Sequence, residues 1–238
     1  MTRMPVAFHW SGGKDSAHAL GRLLTDERYD VRCLLTTVHA VRDESTVHGL
    51  PTALLQAQAA AIGLPLRIVE LHGAGLDGYN EAMEVETRRL RSEGITGCAF
   101  GDLEHSDVLQ YKEIQFAPLG VKVIEPLWGM SPQECSEDFL ASGIEAITVV
   151  VNAAVLDREH LGVPVDRSFV RTLPAGCDPC GEFGEFHTFT WNAPYFSSPV
   201  RFAIGDSERI ERRISTSSGD QEFAYWRLHL RAVGTRAR

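Results

Sequence analysis

The chain is short of positive charge: 23 Lys and Arg stand against 32 Asp and Glu, a net charge of −9. Nucleic-acid binding relies on clustered cations that neutralise phosphates, so a broad nucleic-acid surface is excluded and only a local basic patch is allowed. No apolar run approaches the ~20 residues needed to span a bilayer, and the N-terminus lacks a charged-then-apolar leader pattern. A cytoplasmic, soluble protein without membrane contact is expected. The five cysteines are few and odd in number, which suits reduced thiols better than a disulfide framework. A single CxxC, Cys177 to Cys180, has no second to complete it, and Cys135 stands alone, so a structural zinc or cluster site lacks ligands. Repeats and low-complexity tracts are also missing.

What is present is a core: 44% of the 238 residues are hydrophobic. The first half alternates strand-like runs, Val6–Trp10, Val31–Val38, Leu66–Leu71, Gly97–Phe100 and Val121–Ile124, with helix-like segments. The helices fall near Ser16–Leu24, Thr52–Ile62, Tyr79–Glu93 and Ser106–Leu119, and this order predicts a parallel α/β sheet. Ser131, Pro132 and Glu134 form a capping box with proline at the first helical position, for a helix over Gln133–Ser142. A buried strand follows at Ala146–Val151. Beyond about residue 165 glycine, proline and aromatics rise, and Glu185–Trp191, Val200–Ile204 and Phe223–Val233 alternate as antiparallel strands do. The fold class expected is α/β, with residues 1–130 as the nucleotide-binding part and 131–238 as a smaller α+β substrate-binding part. Gly234–Arg238 reads as a frayed tail.

The densest signal is Ser11-Gly-Gly-Lys-Asp-Ser16, directly after the apolar run Pro5–Trp10. A strand running into two glycines and a helix start gathers free N–H groups and the positive end of a helix dipole, which attract an anion, here a phosphate. Gly12 and Gly13 let the backbone approach it, Ser11 and Ser16 add hydroxyls, and Lys14 adds a point charge. Asp15 suits a Mg²⁺ ion placed between carboxylate and phosphate. The loop is not a Walker A motif, because Lys14 is followed by Asp15 and the earlier glycine is missing, which disfavours a kinase-type phosphate cradle. Ligands of open α/β sheets sit at the carboxyl ends of strands. That places phosphates at Ser11–Ser16, adenine along Thr36–His39 through the backbone of Thr37 and Val38, and a polar substrate or metal at Gly101 and Asp102. Asp102 serves equally well as a helix N-cap.

The second signal is Leu173–Thr188, read LPAGCDPCGEFGEFHT. Gly176, Gly181 and Gly184 permit a tight loop from which Glu182, Glu185 and His187 project. If the segment is a strand, Glu185 and His187 share a face, where an acid and an imidazole can orient a nucleophile or move a proton. The competing reading is a polar turn whose carboxylates cap neighbouring amides.

SGGKDS after a first strand resembles the pyrophosphate loop of N-type ATP pyrophosphatases, whose fold is of the adenine nucleotide α-hydrolase (HUP) type. Together with GEFGEFHT and the preceding DPCGE, the chain resembles the diphthine–ammonia ligase family, whose C-terminal motif reads GEGGEYET, or GENGEFHT in many bacterial relatives. Phe100-Gly-Asp102, Pro126-Leu-Trp128 and His48-Gly-Leu50 fall where that family has similar sequences. The resemblance implies ATP and Mg²⁺ as cofactors. It also implies adenylation of a carboxylate with release of pyrophosphate, then displacement of AMP by ammonia or an amine. Lys14, Asp15, Glu182, Glu185 and His187 would be catalytic, while His48, Asp102, Cys180, Gly181 and Gly184 would join Glu182, Glu185 and His187 around the substrate. The acceptor is a protein or small-molecule carboxylate, and a homodimer is allowed. Phe183 departs from the family's Gly or Asn, and His187 from the Glu of GEGGEYET. Two other readings stay open: a tRNA-thiolating enzyme using Cys177 and Cys180, and an adenine-nucleotide sensor without chemistry.

Overall fold

A computed structural model describes residues 2–73, 77–103, 106–216 and 219–234. It contains two sheets. The first holds β1 (Met4–His9), β2 (Tyr29–His39), β3 (Glu44–Ser45), β4 (Leu66–Leu71), β5 (Gly97–Ala99) and β6 (Lys122–Ile124). Its parallel strands lie side by side in the order β4, β2, β1, β5, β6, and β3 adds a short antiparallel pairing at the end of β2. The helices α1 (Lys14–Thr25), α2 (Thr52–Ile62), α3 (Tyr79–Ser92) and α4 (Ser106–Phe116) make the crossovers. Strand order reverses between β1 and β5, so the loops after these two strands diverge and leave a crevice.

β1 is apolar at every central position because both its faces are covered. Val6 and Phe8 enter the larger hydrophobic cluster with α1, α2 and the second sheet, while Ala7 enters a smaller one with Cys33, Leu35, Met83, Leu90 and Cys98. A fully buried parallel strand reads as a continuous apolar run for this reason.

The second sheet is antiparallel, in the order β8 (Phe186–Asn192), β7 (Glu145–Asn152), β10 (Gly219–Ala232), β9 (Phe202–Thr216). Before it comes α5 (Pro132–Ala141), whose capping box forms as the sequence predicts: Glu134 N donates to Ser131 Oγ at 3.3 Å and Ser131 N donates to Glu134 Oε2 at 2.9 Å. A short helix α6 (Arg167–Thr172) is capped by Asp166, which accepts from Ser168 N and Phe169 N.

Two elements differ from expectation. The helix expected to reach Leu119 stops at Phe116 and tightens into a 3-10 turn over Ala117–Leu119, since Pro118 cannot supply an N–H to the ladder. The two short strands expected at Val200–Ile204 and Phe223–Val233 are the base of a long hairpin, β9 paired with β10 from Phe202 to Ala232. Residues 206, 208, 209 and 211 on β9 are exposed, so that stretch carries no alternating apolar pattern to read. Of the tail expected at Gly234–Arg238, residues 235–238 lie outside the described residues. Among the described residues no helix is long and apolar enough to cross a membrane.

Candidate functional site

The turn between β1 and α1 depends on two glycines for different reasons. Gly12 has φ +84°, and a Cβ there would lie 2.7 Å from Leu50 Cδ1. Gly13 has ordinary backbone angles, but its Cβ would collide with the His48 ring and approach the Thr188 carbonyl at 3.2 Å. Gly101, in the loop after β5, is packed against the start of α1, where a Cβ would sit 2.8 Å from Ser16 N. Hydroxyls close the turn: Ser11 Oγ accepts from Gly13 N at 3.2 Å, and Ser16 Oγ donates to Gly13 O at 3.0 Å.

Lys14 is almost completely buried, and its ammonium donates to the Asp15 carboxylate and, at 2.5 Å, to the Cys180 carbonyl. Burial opposes its charge, but Asp15, Cys180 and Glu182 outweigh that and hold Lys14 above the usual lysine range.

β8 closes over the loop from the second sheet. Thr188 Oγ1 accepts from Lys14 N at 2.8 Å, and Thr190 N donates to Gly12 O at 2.9 Å. The fully buried Gln58 of α2 ties the two together: its Nε2 donates to Gly12 O at 2.9 Å and to Thr190 O at 2.7 Å, while its Oε1 accepts from Trp10 Nε1 at 2.8 Å. His48 Nδ1 donates to the Thr188 carbonyl at 2.8 Å. A carbonyl only accepts, so Nδ1 carries the hydrogen and Nε2 is left to face other groups. Burial moves His48 below the usual histidine range. Its ring lies 4.9 Å from that of His187.

Above the loop lies a cavity of about 490 Å³. Of the residues singled out in the sequence, Ser11, Asp15, Ser16, Thr37, His48, Gly101, Asp102, Gly181, Glu182 and His187 line it. The structure does not bring Gly12, Gly13, Lys14, Val38, Cys180, Gly184 or Glu185 to its wall. Gly12 and Gly13 pack against Leu50 and His48, the Lys14 ammonium turns to the Cys180 carbonyl, Val38 is buried in the core, and Gly184 turns back with its N–H on Gly181 O at 3.1 Å.

Glu185 requires a correction. β8 begins only at Phe186, so the alternation argument does not extend to it. Its buried carboxylate accepts from Asp178 N at 3.1 Å and Phe183 N at 3.0 Å, which makes it the brace of the turn that presents Glu182. Glu182 itself faces the cavity. Desolvation, then Asp15, push its carboxyl up to about 8, against the pull of Lys14 and a hydrogen bond from Leu103 N.

Cys135 also requires one. It stands alone in the sequence but not in space: its sulfur lies 3.7 Å from His18 Nδ1, and Cys180 Sγ is held on the Pro132 carbonyl in the first turn of the same helix. Cys177 turns instead to the Asp178 carbonyl, and burial pushes its thiol up to about 11. The CxxC thus divides its two thiols between different partners.

Three residues escaped the sequence reading. Gln58 is one. Lys112 of α4 ion-pairs with Asp102 and, at 2.6 Å, with Glu125, and sits 3.9 Å over the Phe100 ring. His9 stacks on Phe100 at 4.0 Å and is pushed down to about 3 first by burial and then by Lys112, and its Nε2 has no hydrogen-bond partner among the described residues. Both Lys112 and His9 line the cavity. No local pattern announces them, because each gains its meaning from partners that the sheet brings together.

Among the described residues no three His, Cys, Asp or Glu side chains converge as a metal cage.

A model of the diphthamide synthase N-terminal domain matches residues 4–122, and one of the C-terminal domain matches residues 131–218. Among curated proteins, diphthine–ammonia ligase of Bos taurus is 24% identical over 95% of this chain and 92% of its own length. The proteins of that name from Rattus norvegicus and Homo sapiens are each 25% identical, over 94% and 95% of this chain and 91% and 92% of their own. These relatives are eukaryotic, so none of them carries the bacterial affinity expected from the loop. Matching in both halves, and over nearly the whole length of such relatives, the chain belongs to the diphthamide synthase family.

Proposed function

We propose that the protein is an ATP-dependent amide ligase: it adenylates a carboxylate, releases pyrophosphate, and transfers the acyl group to ammonia or an amine with release of AMP. The observation that carries this reading is the buried, charged Lys14 in the strand-to-helix turn whose Ser11, Asp15 and Ser16 line the cavity. Diphthine–ammonia ligase, the name of the curated relatives, is the same class of reaction.

In this reading residues 1–130 bind the nucleotide with a HUP-type arrangement, supported by the parallel strand order and by the loop at its reversal. Residues 131–238 supply the acceptor side. The α- and β-phosphates lie over Ser11–Ser16, and adenosine runs along Thr37. Lys14 and the loop amides stabilise negative charge as it develops on pyrophosphate; fixed donors in a dry site do this without reorganisation. Mg²⁺ would be held by Asp15 together with phosphate oxygens, and would neutralise charge there. Glu182 is poised near neutral pH to exchange a proton with the incoming amine, the condition under which a general base is most effective. His48 and His187 form the opposite wall and orient the acceptor. His187 is also the basis for a bacterial-type acceptor, a small carboxylate.

The test is to incubate the protein with ATP, Mg²⁺, ammonium and a small-metabolite extract, and to compare it with Lys14→Ala by mass spectrometry. Extract-dependent AMP and pyrophosphate, absent in the variant, are expected, with the new amide identified by mass. Formation of ADP and phosphate, or bound ATP without turnover, overturns the ligase reading.

A further inference from the structure

The ligase chemistry uses neither of two sulfurs packed directly beneath its loop. Cys180 Sγ donates to the carbonyl of Pro132 at 3.2 Å, in the first turn of α5. Cys135 stands three residues further along that helix, so both sulfurs are set against the first turns of α5. On the far side of Cys135, His18 Nδ1 lies 3.7 Å from its sulfur. His18 Nε2 in turn lies 2.8 Å from Asp138 Oδ2, which also accepts from Arg22 Nη1 at 2.9 Å. A thiol, a base and a carboxylate that orients the base form the arrangement that activates a sulfur nucleophile.

Burial decides what such a nucleophile can meet. Cys135 is 1% exposed and Cys180 4%, and neither lines the cavity, so an acyl or amide substrate has no access. An electrophile of two heavy atoms does not need a pocket.

We propose that Cys135 and Cys180 are an oxidisable dithiol that hydrogen peroxide closes to a disulfide, and that closure disturbs the hold of Cys180 on Lys14. The Cys135 thiolate attacks one peroxide oxygen. An S–O bond forms, the O–O bond breaks, and the departing hydroxide takes the proton stored on His18 to leave as water. The Cys180 sulfur then attacks the sulfenic sulfur: the S–S bond forms, the S–O bond breaks, and the Cys180 proton leaves with the second water. Two thiols lose two electrons, and one peroxide becomes two waters.

The division of labour follows from the surroundings. Cys180 and His18 draw the Cys135 thiol down to about 6 against the opposing effect of burial, while the hydrogen bond to Cys135 and burial keep Cys180 above the ordinary thiol range. Burial works against a charge on His18, but its contacts with Cys135 and Asp138 prevail and raise it. Cys135 is the attacking sulfur and Cys180 the resolving one. The Cys180 carbonyl is the acceptor of the Lys14 ammonium, and its amide is pinned by Asp178 Oδ1 at 2.7 Å. Drawing the Cys180 sulfur from Pro132 to Cys135 therefore strains the residue on which Lys14 rests. This last consequence rests on the ligase reading, whereas the disulfide does not.

The experiment treats the full chain with hydrogen peroxide, blocks remaining thiols, maps linked peptides by mass, and follows AMP formation in parallel. A Cys135–Cys180 link is expected, with a drop in AMP formation of about tenfold that dithiothreitol reverses, the scale of one lost charge-assisted hydrogen bond. Cys135→Ala, with Cys135→Ser as a second variant, keeps the basal rate and loses both the link and the sensitivity. Cys177→Ala keeps both. No link, a link between Cys177 and Cys180, or equal inactivation of Cys135→Ala and Cys135→Ser overturns the proposal; a link that leaves the AMP rate unchanged overturns the coupling to Lys14. A Cys135–Cys180 link in a protein that makes no AMP even when reduced upholds the dithiol and overturns the ligase reading instead.

Discussion

The two loops that meet at the cavity are built on opposite plans. In Ser11–Ser16 neighbours in sequence work toward one end. Gly12 and Gly13 clear space, Ser11 and Ser16 close the turn, and Lys14 sets the charge beneath it. In Gly181–Thr188 neighbours in sequence serve different ends. Glu182 faces the cavity, Glu185 three residues later braces the turn from behind, His187 stands beside His48, and Thr188 leaves the loop to hold Lys14 N. A contiguous motif states its purpose in one dimension. A loop whose side chains radiate needs its surroundings before any residue can be assigned.

The comparison can be broken most sharply at Lys14. Lys14→Ala removes the positive charge proposed to offset that of the leaving pyrophosphate, and a loss of about 10²–10³ in the rate of AMP formation is expected, the scale for a preorganised oxyanion donor. Steady-state kinetics checks this, and a loss below tenfold would mean that the backbone amides suffice.

Glu182→Gln comes next, with a loss of roughly 10²-fold expected for a proton-transfer group. The pH dependence separates it from a structural effect. The wild-type rate should rise as Glu182 ionises near pH 8, and the variant should lack that limb. Stability moves the other way. A carboxyl raised from 4.5 to about 8 on folding binds a proton in the native state that the unfolded chain has released. Stability contributed by that proton is present below 4.5 and is lost as pH rises through about 8. Glu182→Gln should therefore show a flatter melting temperature between those limits.

Glu185→Gln tests the other half of the comparison. Weakening a charged acceptor of two backbone N–H groups should cost about 1–3 kcal/mol of stability, read by denaturant titration. The rate should fall less than in Glu182→Gln; a larger fall at unchanged stability would return Glu185 to the chemistry. The smallest effect is expected at Phe183, which is 75% exposed. Phe183→Asn should leave stability within about 0.5 kcal/mol, and any change should be confined to the KM for the acceptor.

What the sequence made legible follows the same division. The capping box at Ser131, the strand at Leu66–Leu71 and the helix at Thr52–Ile62 are specified by residues within one or two turns of each other, and they fall where expected. The strand-to-helix turn at Ser11–Ser16 is legible for the same reason. The part of β9 beyond Ile204 was missed because exposed positions on a hairpin carry no hydrophobic period. Gln58 was missed because its meaning lies in partners 46 and 132 residues away. In the helical pattern of α2 it is only a polar residue among alanines and leucines. In Leu173–Thr188 the Glu185 carboxylate holds two amides of its own turn, while Glu182 takes one from the distant Leu103, a distinction that no spacing rule could make.

Gln58 also sets an order of assembly. A ribosome has released all of Ser11–Ser16 long before it reaches Thr190, yet the hydrogen bonds that fix Gly12 and Lys14 in place await that strand. An emerging chain thus carries its Ser11–Ser16 turn unfinished until the second sheet has docked.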